Sequence, residues 1–275
     1  MTLALGLLTA VMWAFADLLS QRVSRGAGAV SATFWVLLGG AVPAVALSLL
    51  VDGVPNLDAS WVGPAVIAGA IDLIGVWFMM RALAAGSLAV VVPIVALEGG
   101  IAALGSVLLL GDHISPLLAA GLPLAVAGGA LAAAGPGNRT ADGARDALAC
   151  AITFSGVLLV LAEVDGVGAL TLVTTARVVS TLLIAPVALA QRAAPPPLRV
   201  IAIGAVGATL DVVAFAVYTR AARIGPLSVA AVASAQFATF GVILGLVVLH
   251  ERPLRRQLIG VAVTIVAVSL LALGE

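Results

Sequence analysis

The sequence consists largely of apolar runs, each close to the length of a membrane-spanning helix. Such a helix needs about 20 apolar residues to cross the ~30 Å hydrocarbon layer of a bilayer. Lipid offers no partners for backbone N–H and C=O groups, so a long apolar run within it must be helical. The runs predict an all-α integral membrane protein with ten transmembrane helices. They lie at residues 2–21, 29–51, 61–83, 87–110, 116–135, 147–164, 168–190, 200–222, 225–249 and 257–273.

Composition excludes most other classes of protein. Hydrophobic residues make up 63% of the chain and charged residues 9%, whereas about 25% of an ordinary soluble domain is charged. A soluble enzyme or a nucleic-acid-binding protein therefore does not fit, and the expected partners are the lipid bilayer and a small molecule. Cys150 is the single cysteine and His113 and His250 are the two histidines, so we predict no disulfide, no metal site and no cofactor.

The arginines are distributed unevenly between the two ends of the predicted spans. All 13 basic residues are arginine, and Arg177 falls inside a span. Arg220 and Arg223 lie on one side. The other ten lie on the opposite side: Arg22, Arg25, Arg81, Arg139, Arg145, Arg192, Arg199, Arg252, Arg255 and Arg256. The positive-inside rule places the ten-arginine side in the cytoplasm and both termini outside. The lysine-free, Ala-, Gly- and Val-rich composition favours a bacterial plasma membrane.

The sequence contains an internal repeat. A shift of 139 residues aligns residues 63–134 with the second half without a gap, and charged residues recur at the same depth and in the same order. The matched pairs are Asp72 with Asp211, Arg81 with Arg220, Gly86 with Gly225, Asp112 with Glu251, and Gly121 with Gly260. The predicted domains are a first five-helix repeat (1–135), a linker loop (136–146) and a second five-helix repeat (147–275). Because five is odd, the second repeat is predicted to be inverted, as in secondary transporters.

The ends of the two repeats resemble the drug/metabolite transporter superfamily, specifically its EamA-type members. The segments that carry the resemblance are 81–90 (RALAAGSLAV), 110–115 (LGDHIS), 220–229 (RAARIGPLSV) and 249–253 (LHERP). Asp112 replaces the usual Glu, and His250 replaces the usual Gly. The resemblance implies a transporter and not an enzyme, and it does not identify the substrate. Many members keep their termini in the cytoplasm, whereas the arginines here predict the opposite.

We expect export of a small metabolite, amino acid or drug by alternating access, with protons as a candidate coupling ion. The sequence has no phosphate-binding loop, so a gradient or an exchanged molecule would drive this efflux. Two other functions were weighed. Asp72 and Asp211 could form an intramembrane aspartyl-protease dyad, although neither lies in a Gly-x-Gly-Asp context. A channel would give flux that does not saturate.

Five ionisable residues are predicted within spans, where a charge is costly and normally faces a cavity or a partner. They are Asp17, Asp72, Glu98, Arg177 and Asp211. Asp72 and Asp211 could line a cavity and bind a cation or exchange a proton; equally, they could hold neighbouring helices together.

Glu98 has Phe237 as its repeat mate and follows Pro93, so it could lie at a bent, gating span. It could also pair with Arg177. Arg177 in turn could clamp a substrate oxyanion or neutralise Glu98, Asp72 or Asp211. We favour function for Glu98 and neutralisation for Arg177.

Three further side chains are second-tier candidates for substrate binding. Trp13 lies one helical turn from Asp17, so its ring could stack on a flat or cationic ligand, or it could anchor the helix at the membrane interface. Tyr218 lies seven residues after Asp211, on the same helix face. Gln236 forms a small polar face with Thr239. A homodimer would be permitted by the small residues of spans five and ten, which are Gly121, Gly128, Gly129 and Gly260.

Overall fold

The chain folds into long helices joined by short connections. The computed structural model describes residues 1–26, 28–57, 59–110, 116–117, 120–121, 124, 127–128, 131, 138–224, 230 and 233–273. The helices are α1 (Thr2–Gly26), α2 (Ala29–Val51), α3 (Ala59–Ala85), α4 (Leu88–Val95), α5 (Leu97–Leu110), α6 (Asn138–Ala162), α7 (Ala169–Ala190), α8 (Leu198–Ile224), α9 (Phe237–Val247) and α10 (Arg255–Leu273). No β-strand occurs in these ranges, so the all-α prediction is confirmed.

Six of these helices contain a stretch long and apolar enough to cross a membrane: α1, α2, α3, α6, α7 and α8. Their outward faces carry large apolar side chains that are well exposed, among them Val42, Ile67, Ile152, Leu182 and Val206. A surface this apolar over several adjacent helices is unfavourable in water and matches a lipid environment. The predicted fifth span (116–135) lies mostly outside the described residues, so the count of ten spans stays a prediction.

The predicted fourth and ninth spans are each interrupted near the middle. The fourth divides at Ala96 into α4 and α5, three residues after Pro93. Proline lacks the N–H that would continue the helical ladder, so a break near it is expected. The ninth is interrupted at Gln236, where α9 begins at the next residue. With the 139-residue shift, Ala96 corresponds to Ala235, so the two breaks are repeat-equivalent within one residue.

The predicted linker loop needs a correction at its second half. The helix α6 begins at Asn138, so residues 138–146 are helical instead of forming a loop. Arg81 Nε pairs with Asp146 Oδ2 at 3.0 Å, and Gly143 packs directly against Gly86. These contacts tie the start of α6 to the end of α3, which explains why a polar segment continues the helix. The remainder of the linker, 136–137, lies outside the described residues.

Contacts between helix ends show that the two halves run in opposite directions. Arg25 Nη2 donates to the Gly86 carbonyl at 3.3 Å, and Gly86 lies beside Gly143. The helices α1 and α3 therefore end where α6 begins. At the other end of the bundle, Asp52 accepts a hydrogen bond from the N–H of Thr171, in the first turn of α7, at 2.7 Å. Because α1 and α6 are the first helices of the two halves, the second half is inverted.

The end of the bundle where α1 and α3 finish is called the arginine-rich end. The helix α8 begins there, since Gly204 lies against Val23, and Ser31 Oγ donates to the Ala194 carbonyl in the preceding loop. Glu251, just before α10, also binds the start of α4 there. All ten arginines of the predicted cytoplasmic side belong to this end. The opposite end of the bundle contains Met1 and the last residue of α10.

The packing between helices follows the repeat. The most extensive interfaces are α1 with α8 and α3 with α6, which exchange when the halves are swapped. The interfaces of α2 with α8 and of α7 with α3 form a second such pair. Small residues permit close approach: a Cβ on Gly69 of α3 would meet the Ala176 carbonyl of α7 at 2.5 Å. The two halves are therefore interleaved, and their interface runs through the centre of the molecule.

Most of the small residues predicted to permit a homodimer are buried within the protein. Gly121, Gly128 and Gly260 are buried against other parts of the same chain, while Gly129 lies outside the described residues. The homodimer stays a prediction.

Candidate functional site

Three predicted residues meet at the centre of the repeat interface and form what we call the Arg177 triad: Asp72, Arg177 and Asp211. Asp72 and Asp211 are the middle residues of α3 and α8, two helices of 27 residues each. Arg177 of α7 lies between them. Its Nη1 is 3.5 Å from Asp72 Oδ2, and its Nη2 is paired with Asp211 Oδ2. One arginine from the second half thus joins both repeat-equivalent acids.

The triad is not symmetric in burial. The side chains of Arg177 and Asp72 are 2% and 5% exposed, whereas that of Asp211 is 26% exposed. Ser180, one turn after Arg177, places its Oγ 2.7 Å from Asp72 Oδ2 and 2.7 Å from the Gly69 carbonyl. Asp72 therefore has two partners in a closed environment, while Asp211 keeps contact with open space. The predicted neutralisation of Arg177 by these acids is observed, and neither a cavity nor a substrate is needed to explain it.

Glu98 lies apart from this ion pair. It is the second residue of α5 and is 4% exposed, and its Oε2 has no hydrogen-bond partner within the described residues. The alternative pairing of Glu98 with Arg177 is wrong, because the guanidinium is occupied by Asp72 and Asp211. Glu98, Asp17 and Asp211 interact electrostatically with one another. A position in the first turn of α5 favours a carboxylate through the helix dipole, but only modestly.

A cluster of aromatic rings stands beside Glu98. The ring centroid of Trp13 is 4.9 Å from that of Phe215, 5.6 Å from Phe237 and 6.0 Å from Tyr218. Trp13 is buried, and its Nε1 lacks a partner among the described residues. Interface anchoring is therefore the wrong interpretation for Trp13, because an anchor needs its N–H at the headgroup level.

These groups enclose one small space, which we call the Glu98 cavity. It is nearly closed, with a volume of about 10 Å³, which is room for no more than about one water molecule. Its walls combine one carboxylate, three aromatic rings, the hydroxyls of Tyr218 and Ser234, and apolar groups. The lining residues are Trp13, Ala96, Glu98, Gly99, Leu158, Tyr218, Ser234, Ala235 and Phe237. The helix breaks at Ala96 and Gln236 fall beside it, so the interrupted spans of both halves contribute their broken segments to its wall.

Two other predicted residues, Asp17 and Gln236, differ in their relation to this cavity. Asp17 follows Trp13 by one turn of α1 and interacts electrostatically with Glu98. Gln236 is directed elsewhere: its Nε2 lies 3.3 Å from Ser269 Oγ of α10, and its Oε1 accepts from Thr239 at 3.2 Å. Phe237 and Ser234 were not predicted as site residues. Phe237 could have been found, because it is the repeat mate of Glu98.

A further acid, Glu251, has a structural role that the sequence did not indicate. Its two carboxylate oxygens accept hydrogen bonds from the N–H groups of Leu88 and Ala89, each at 2.9 Å. It thereby caps the N-terminus of α4, where unpaired N–H groups attract an anion. Arg25 lies 3.8 Å from the same carboxylate. The second half thus contacts the first half through Glu251 at the arginine-rich end. Its repeat mate Asp112 lies outside the described residues.

Together these observations define a polytopic helical membrane protein of two interleaved, inverted halves with charged groups at their shared centre. The family model of the EamA-like transporter family matches residues 1–134 and 146–273. The chain belongs to this family, which confirms the resemblance predicted from the repeat ends.

A crystal structure of a protein 18% identical in sequence aligns over 98% of this chain and 97% of its own, with a TM-score of 0.70; this shows a shared fold. No curated protein matches the sequence significantly. Within the described residues, no group of three or more His, Cys, Asp or Glu side chains is arranged to bind a metal ion.

Proposed function

We propose that this membrane protein is a secondary active transporter that exports a small metabolite, amino acid or drug by alternating access. The observation that carries the proposal is a buried carboxylate, Glu98, whose Oε2 has no hydrogen-bond partner among the described residues and which lines a cavity between the two inverted halves. Inverted repeats can pack in two related ways, which expose a central site to either side in turn. A buried acid at that point, with one oxygen unpartnered within the described residues, suits exchange of a proton or a cargo group.

The Arg177 triad supports the same mechanism in a different way. It links α3, α7 and α8 through charges that lipid cannot solvate, so these helices are expected to move as one unit. The cap that Glu251 places on α4 closes the arginine-rich end, and its release would open that end. Asp211, the most exposed member of the triad, interacts electrostatically with Glu98 and Asp17. A proton or cargo cation arriving at Glu98 would therefore change the balance of charge at the triad.

The aspartyl-protease dyad is a weaker proposal. A dyad needs two carboxylates that share one proton. Here Asp72 and Asp211 each pair with the guanidinium of Arg177, so a cation bridges the two carboxylates. A channel would differ from a carrier in that its flux does not saturate.

The transport proposal can be tested without knowing the cargo. Vesicles containing the purified protein would be loaded with the twenty amino acids, spermidine and ethidium. The loss of each compound from the vesicles would be followed by mass spectrometry under an inward proton gradient. We expect saturable loss of at least one compound, abolished by Glu98→Gln and preserved by Glu163→Gln, a matched change at an exposed loop residue. Loss equal to that of protein-free vesicles for every compound contradicts transport. Non-saturating loss indicates a channel.

The orientation is a second part of the proposal. We propose that the arginine-rich end faces the cytoplasm of a bacterial cell, which leaves both termini outside the plasma membrane. Alkaline phosphatase, active only outside the cytoplasm, would be fused after Glu275. The account expects an active fusion, and an inactive fusion of normal abundance would reverse the orientation.

A further inference from the structure

We propose that the Glu98 cavity, when it widens from the nearly closed state of this structure, binds a small organic ammonium ion, a primary amine carried on a flat apolar body. This inference rests on the proposed transport function and specifies the chemistry of its cargo.

The first argument is the charge balance at the centre of the molecule. Arg177 is the basic residue there, and it is shared by Asp72 and Asp211. Glu98 and Asp17 have no basic partner within the described residues, and both interact with the carboxylate of Asp211. A cargo with a positive charge would supply the counterion that these acids lack among the described residues, whereas an anionic cargo would add a further negative charge.

The second argument is that Glu98 offers a specific contact. Its residue is 4% exposed, and its Oε2 lacks any hydrogen-bond partner in the described part of the chain. Buried polar atoms are almost always hydrogen-bonded, so an exception needs an explanation. An ammonium group donates the N–H bonds that this oxygen lacks and forms a charge-assisted pair with it.

The third argument is the aromatic wall. Trp13, Tyr218 and Phe237 line the same cavity as Glu98. Aromatic faces attract organic cations, and the attraction grows when the cation is removed from water. Glu98 and Phe237 are repeat mates, so the two halves supply an acid and a ring at equivalent positions. A site with two mirrored acids would suit a small inorganic cation better.

A metal ion fits this arrangement poorly. A divalent cation such as Ca²⁺ takes about six to eight oxygen ligands, whereas the cavity wall has one carboxylate among aromatic and apolar groups. The described residues contain no cluster of acids, histidines or cysteines suited to a metal. The cavity walls are complementary to an organic body with one charged end.

The test uses three probes with the same indole ring and similar chain lengths: tryptamine (cation), indole-3-ethanol (neutral) and indole-3-acetate (anion). Binding to the purified protein in detergent would be measured by isothermal titration calorimetry. We expect tryptamine to bind at least about tenfold more tightly than the other two. Glu98→Gln should reduce its affinity by about tenfold or more, and Glu163→Gln should leave it unchanged. Phe237→Leu, which removes the ring and keeps an apolar side chain, should weaken binding about threefold.

The outcomes separate this inference from the proposed function. Equal binding of the three probes, or tryptamine affinity unaltered in Glu98→Gln, overturns the ammonium site. Each variant would first be shown to elute as a single species in size-exclusion chromatography, so that loss of binding is not loss of folding; Glu98→Asp, which keeps the charge, should retain part of the affinity. A second arm follows tryptamine flux in vesicles against protein-free vesicles. Glu98-dependent binding without flux supports the site and contradicts transport. Saturable flux of other compounds without tryptamine binding supports transport and contradicts the site.

Discussion

Two acidic regions lie within a few helical turns of each other, and they differ in what surrounds the charge. In the Arg177 triad, both carboxylates face the same guanidinium, and Asp72 also has Ser180 beside it. In the Glu98 cavity, the carboxylate is as buried as that of Asp72, but one of its oxygens has no partner among the described residues. The comparison shows that burial alone does not mark a functional acid. An acid satisfied within the protein contributes to stability, whereas an unsatisfied one is available to a proton or a cargo.

The largest expected effect is on stability, at Arg177. The change Arg177→Leu would leave Asp72 buried without a counterion, which costs about 3–5 kcal/mol when one partner of a buried pair is removed. Thermal unfolding of the purified protein in detergent would measure it. The double change Arg177→Leu with Asp72→Leu should recover part of the loss. A single variant as stable as the parent would show that the triad does not hold the helices together.

The second effect separates the two regions. Glu98→Gln changes an acid that has no basic partner within the described part of the chain, so we expect unfolding in detergent to change by less than about 1 kcal/mol. Transport should nevertheless fall by at least about tenfold, because the exchange site is lost. Vesicle efflux and unfolding temperature would both be measured on the same preparation and compared with those of the parent protein. A variant that unfolds early and transports normally would assign Glu98 to scaffolding.

A smaller effect distinguishes the repeat-equivalent acids. Asp72→Asn disturbs a closed environment with two partners, whereas Asp211→Asn alters a side chain that is 26% exposed. We expect Asp72→Asn to cost about 1–2 kcal/mol more in unfolding free energy than its mate. Equal costs would mean that the difference in burial has no energetic consequence, and the asymmetry between the halves would then lie elsewhere.

The smallest effect concerns a satisfied acid at the arginine-rich end. Glu251→Gln keeps one acceptor for the N–H groups of Leu88 and Ala89 but removes the negative charge at the start of α4. Loss of a helix cap typically costs about 1 kcal/mol. Unfolding in detergent should show this modest loss, and Arg255→Gln, in which an exposed residue of the next helix changes, serves as the control. If Glu251→Gln cost more stability than Arg177→Leu, the arginine-rich end would contribute more to stability than the Arg177 triad.

Much of the fold could be predicted because it depends on periodic, local features. Apolar run lengths predicted the helices, and the 139-residue shift predicted that Asp72 and Asp211 are equivalent. Pro93 indicated the break at Ala96. The break at Gln236 could not be predicted in this way, since no proline lies in the nine residues before it. The helix that follows the break, α9, packs against α4 and α1, and such contacts are not visible along the sequence.

The site was predictable as a set of residues but not as an arrangement. The sequence identified Glu98 and Arg177 as unusual and left their pairing open, because which acid reaches an arginine depends on contacts across three helices. The cap of Glu251 on Leu88 joins residues 163 positions apart, and no pattern along the chain connects them. Charge and depth can be read from a sequence, whereas the satisfaction of a buried group requires its neighbours.

The central claim is that the Glu98 cavity opens alternately to the two sides of the membrane. Gly99 allows a direct measurement, because a Cβ there would have no heavy atom within 4 Å. In a Cys150→Ala background, Gly99→Cys would be treated with a membrane-impermeant maleimide applied from one side at a time, in vesicles of known orientation. The account predicts labelling from either side, with the balance shifted by the proton gradient. Labelling from one side alone, under both gradient directions, would contradict alternating access.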